Sequence, residues 1–80
     1  MITSAAYITQ SVSLEDRISR REKEVLQLIS EGLTVKEIAS VLFLSEHTIV
    51  SHKKNLTSKF KARNAIDLIV KAIKLGYVAI

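Results

Sequence analysis

Eighty residues with 48% hydrophobic content make one small globular domain, too short for a second core and too apolar to stay disordered. The absence of cysteine removes disulfide frameworks and thiolate metal sites, and the apolar runs are too short for a membrane span or a secretory leader. The formal charge of +4 is concentrated between Ser45 and Asn64, where Lys53, Lys54, Lys59, Lys61 and Arg63 face a single acid, Glu46, while the remaining cations and anions cancel. Such a basic stripe on an otherwise neutral domain is the footprint of a protein that docks on nucleic-acid phosphate, although a solvated lysine-rich face gives the same count.

Residues 1–17 show no sustained periodicity and read as a tail or linker, with Ile2, Tyr7, Ile8, Val12 and Leu14 scattered through it. From Ser19 onward the punctuation is regular. Ser19 and Glu22 form a capping box that opens a first helix over about 20–31, with Val25, Leu26, Leu28 and Ile29 on one face and Gly32 as its stop. Thr34 and Glu37 repeat the box and start a second helix over about 35–42, with Ile38, Ala39, Val41 and Leu42 expected to turn inward. After a turn at Phe43 and Leu44, Ser45 caps a longer third helix through Phe60. Asn64 with Asp67 starts a fourth helix that runs to Leu75 and ends at Gly76. The expected fold is therefore all-α, a four-helix bundle containing a helix-turn-helix, with an N-terminal tail.

The third helix has two unlike sides. At 100° per residue, Ile49, Leu56 and Phe60 fall within about 40° of one another and anchor it to the core. Roughly opposite lie His47, Val50, Ser51, Lys54 and Ser58, a cation, hydroxyls, an imidazole and one small apolar group, the side-chain types that reach base edges in a major groove. Their salt-bridge partners are missing, whereas the first helix alternates signs along Arg20, Arg21, Glu22, Lys23 and Glu24.

The pattern over Ile18–Phe60 resembles the LuxR-type DNA-binding domain of LuxR and of NarL/FixJ response regulators, and the resemblance extends to about Val78, making 18–80 one domain. The residues that carry it are Arg21-Glu22, Glu24-Val25-Leu26, Glu31-Gly32, Lys36-Glu37-Ile38-Ala39, Leu44-Ser45, Thr48-Ile49, His52, Asn55 and Lys59. It implies a sequence-specific transcriptional regulator whose third helix enters the major groove of double-stranded DNA, with Val50, Ser51 and Lys54 facing bases. It also implies phosphate contacts at Lys36, Ser45, Thr48 and Lys59, joined by Asn55, and an architectural role for Glu22. Lys36 fits independently, because the start of a helix supplies free amides beside the cation. Two departures stand out. Val50 replaces the lysine of many members and offers a methyl surface but no hydrogen bond, and Phe60-Lys61-Ala62 replaces a common glycine, which leaves Lys61 as a further phosphate contact.

The fourth helix carries an apolar arc of roughly 220°, well beyond the 100° or so needed for one core. The excess suggests a homodimer across this helix, with Ile69, Ala72, Ile73 and Gly76 at the interface, a role the resemblance also implies. The alternative cover is the tail, or the end residues Tyr77, Val78 and Ile80. Catalysis finds no support: His47 and His52 point about 140° apart, Ser51 and His52 are neighbours that do not face each other, and no phosphate loop or carboxylate pair is present. No metal, cofactor or membrane is implied. The expected setting is cytoplasmic, with RNA polymerase as a further candidate partner, and the competing readings are a protein-interaction module that heterodimerises through the fourth helix and a sigma-factor-like promoter reader.

Overall fold

The computed structural model describes residues 18–79, so the tail at 1–17 and Ile80 lie outside the described residues. Four helices follow in order, α1 Arg20–Ser30, α2 Val35–Leu42, α3 Glu46–Lys59 and α4 Ala65–Lys74, with no strand among the described residues. Each start is capped as the sequence expects. The Ser19 and Thr34 hydroxyls accept from the amides of Glu22 and Glu37, whose carboxylates accept in return from the Ser19 and Thr34 amides. Ser45 accepts from the Thr48 amide, and Asn64 from the Asp67 amide. Caps of this kind are worth about 1 kcal/mol each, which matters in a domain with so little core.

All four helices end alike. The chain turns left-handed at Gly32 (φ 92°), Phe43 (φ 57°), Lys61 (φ 54°) and Gly76 (φ 80°). The following amide reaches back five residues in every case, Leu33 to Leu28, Leu44 to Ala39, Ala62 to Thr57 and Tyr77 to Ala72, at 2.8–3.2 Å. These closures satisfy carbonyls that a helix end leaves free. Two of them use residues with a Cβ, for which the left-handed region costs about 1 kcal/mol or more.

α3 runs through the middle, packed against α1, α2 and α4. Its Ile49 and Leu56 meet Val25, Leu26, Ile38 and Leu68, the other largest fully buried side chains, and Ile18, Ile29, Ala39, Phe60, Ala72 and Val78 complete the core. The C-terminal residues fold back over α1. Val78 is buried, Tyr77 meets the Phe60 ring edge-on at 5.5 Å, and Ala79 exchanges hydrogen bonds with the Gln27 side chain. Val41 departs from expectation: it is 53% exposed. The stripe of Ile38, Ala39 and Leu42 that meets the core is narrow on so short a helix, and Val41 lies about 100° off its centre.

Candidate nucleic-acid interface

Burying Ile49, Leu56 and Phe60 fixes the rotation of α3 and leaves its other side in solvent. His47, Val50, Ser51, Lys54 and Ser58 are all exposed, and no carboxylate stands among them. Lys36 at the start of α2, Ser45, Asn55 and Lys61 are exposed as well, and Thr48 is half-buried beside Ser45, the two hydroxyl oxygens lying 2.8 Å apart. Between α3 and the start of α4 lies an open depression of about 640 Å3, rimmed by Lys53, Lys54 and Lys61 over an apolar floor that includes Val35, Ala62 and Leu68.

Lys59 sits differently from the other cations. Its ammonium donates to Glu22 Oε1 at 2.8 Å, joining the end of α3 to the start of α1. Burial pushes the Glu22 carboxyl up, but the hydrogen bonds from Lys59 and the Ser19 amide, with the charges of Lys59 and His52, outweigh it and hold the group below its ordinary value. Lys59 thus takes part in the architecture, and Glu22 serves the cap and this pair at once.

α4 holds the same end of α3 from another side. Lys71 Nζ donates to the Lys61 carbonyl at 2.7 Å and lies 3.5 Å from that of Phe60, placing a cation on the C-terminal carbonyls of α3. Asp67 steadies that lysine at 3.4 Å, and the Arg63 amide holds the Asp67 carboxyl below its usual range. On the far side of α4, Ile66 (75% exposed), Val70 and Ile73 form a narrow apolar strip in solvent, with Ile69 half-buried at its edge. Ala72, expected at this surface, is 0% exposed. It follows Leu68 by one turn on the face that enters the core, so Ile66 and Val70 stand where Ala72 and Ile69 were expected. Gly76 is exposed just past the helix end. Tyr77, Val78 and Ala79 thus pack on α1 and the core rather than over this strip.

A short turn joining two capped helices, with the second offering a cationic face, defines a helix-turn-helix module. The chain belongs to the luxR family of bacterial regulatory proteins, which matches residues 16–72, and that family consists of DNA-binding transcription regulators rather than enzymes. It is 38% identical over 73 residues to the uncharacterized response regulatory protein YgeK of Escherichia coli (strain K12), covering 91% of this chain and 50% of that protein. Against the spore germination protein GerE of Bacillus subtilis (strain 168) it is 36% identical over 59 residues, covering 74% and 80%. A solved structure of the transcription factor GerE superposes with a TM-score of 0.76 at 28% identity, over 84% of this chain and 96% of that one. The chain spans about half the length of YgeK and 27% of another relative, the regulatory protein SdiA of Escherichia coli (strain K12). Among the described residues no helix is long and apolar enough to cross a membrane.

Proposed function

We propose that this chain is the DNA-reading part of a transcriptional regulator in the cytoplasm, with α3 in the major groove of a specific double-stranded site. The observation that carries this reading is the exposed face of α3, where Lys54, Ser51, His47 and Ser58 surround Val50 with no acid among them, opposite a buried seam that fixes the rotation of the helix. Lys54 serves as donor to a guanine edge, and the hydroxyls bind either kind of base. Lys36, Ser45, Thr48, Asn55 and Lys61 take phosphates on either side, the first four near helix N-termini or along the flank of α3. Two copies pair through Ile66, Val70 and Ile73 of α4, which places two reading helices on an inverted repeat. RNA polymerase is the partner through which such a regulator acts on transcription.

Selection of bound sequences from a random double-stranded pool tests this directly. An enriched inverted repeat with half-sites about one helical turn apart, bound more weakly as salt rises, is the expected result. Lys54→Ala should cost about 1–3 kcal/mol on the selected site and relax preference at one position. No enrichment together with no salt-sensitive binding would favour a protein-interaction module instead.

A further inference from the structure

We infer that Val50 reads the 5-methyl group of a thymine, so that each half-site carries a T·A pair where Val50 meets it. This rests on the DNA-reading role proposed above and names the base that role selects. Val50 is the one apolar side chain on the reading face, and at 44% exposure it has surface left to bury. Of the four base edges in the major groove, thymine alone presents a methyl group. Opposite guanine or adenine, a valine would cover N7 and its polar neighbour without offering any hydrogen bond, so selection comes from exclusion as well as contact.

The setting of Val50 favours such a contact. A β-branched side chain on a helix keeps essentially one χ1 rotamer, so its methyl groups are presented without loss of freedom on binding. Val50 also lines the depression whose apolar floor includes Val35, Ala62 and Leu68, so it stands where the reading face meets an apolar surface, with the lysines at the rim. Lys54 follows one turn later, about 6 Å along the helix, close to two base-pair steps of 3.4 Å. A thymine for Val50 and a guanine for Lys54 should therefore lie within about two steps of each other.

The test replaces each thymine of the selected half-site in turn by deoxyuridine, which removes only the methyl group, and measures affinity for wild type and Val50→Ala at one fixed salt concentration. Burial of one methyl-sized group is worth about fourfold in affinity. One position per half-site should show that fourfold loss for wild type, rising to about fifteenfold when both half-sites are changed. Val50→Ala should bind the thymine and deoxyuridine sites alike, and Val50→Lys should move the preference at that pair toward G·C. If every deoxyuridine site binds wild type normally, or if the loss persists unchanged in Val50→Ala, Val50 is not the methyl reader while DNA reading stands. Failure to select any site overturns the DNA-reading role and this assignment together.

Discussion

Replacing Phe43 by glycine should make the domain more stable, although it deletes a large hydrophobic side chain. Phe43 holds φ at 57° in the turn before α3 and is 93% exposed, so the ring contributes almost no burial in the folded state. A residue with a Cβ pays about 1–2 kcal/mol in the left-handed region. Glycine removes that strain but adds about 0.5–1 kcal/mol of unfolded-state entropy. The net gain is on the order of 0.5–1 kcal/mol, which in a domain of this size raises Tm by about 2–8 °C. Urea and thermal unfolding followed by far-UV circular dichroism measure it, with Phe43→Ala as the control that trims the ring and keeps the strain. Phe43→Ala should change stability little. If Phe43→Gly unfolds more easily than Phe43→Ala, the left-handed closure of α2 is not where the cost lies and the account of the helix ends is wrong.

The same reasoning gives Lys61→Gly two opposed effects: a gain of similar size in unfolding experiments, and, on the proposed phosphate role of Lys61, weaker DNA binding with a shallower salt dependence. Glu22→Gln keeps an oxygen for the Ser19 amide but leaves the half-buried Lys59 ammonium without its carboxylate, and should cost about 2 kcal/mol in denaturant titrations. Since the folded state holds Glu22 below its ordinary value of 4.5, the pair stabilises fully above that pH and loses its contribution as pH falls through the lower folded value. The wild-type stability curve should therefore descend in acid more steeply than that of Glu22→Gln, and parallel curves would contradict the pairing. Val70→Glu places a charge in the exposed strip of α4, so sedimentation on selected DNA should show loss of the two-copy complex while monomer unfolding stays within about 0.5 kcal/mol of wild type.

Much of this architecture is written locally. Ser19, Thr34, Ser45 and Asn64 announce four helix starts because a cap needs only its own next three residues. The solvent face of α3 is equally readable, since its three seam residues are so narrowly grouped that one rotation satisfies them. Glycine marks two of the left-handed ends; at Phe43 and Lys61 no side chain signals the turn, which is imposed by the backbone bonds that close α2 and α3. Glu22 shows the limit most clearly. Its capping role follows from Ser19, but its bond to Lys59 joins residues 37 apart and exists only once α1 and α3 have packed. Lys59 consequently looks like a free cation in the sequence and is held by an acid in the fold. On α4 the breadth of the apolar arc is legible, yet whether Ala72 or Val70 faces outward depends on the rotation at which Leu68 enters the core.

Lys71 gives α4 a mechanical place in the molecule. It grips the closing turn of α3 from one side of a ten-residue helix whose other side is an apolar strip. A subunit attached along that strip would be joined to the reading helix by a stiff strut, with no slack segment between them. The separation of two reading helices would then be a fixed length built into each copy, and operators whose half-sites are one base pair too near or too far would be rejected by geometry before any base is read.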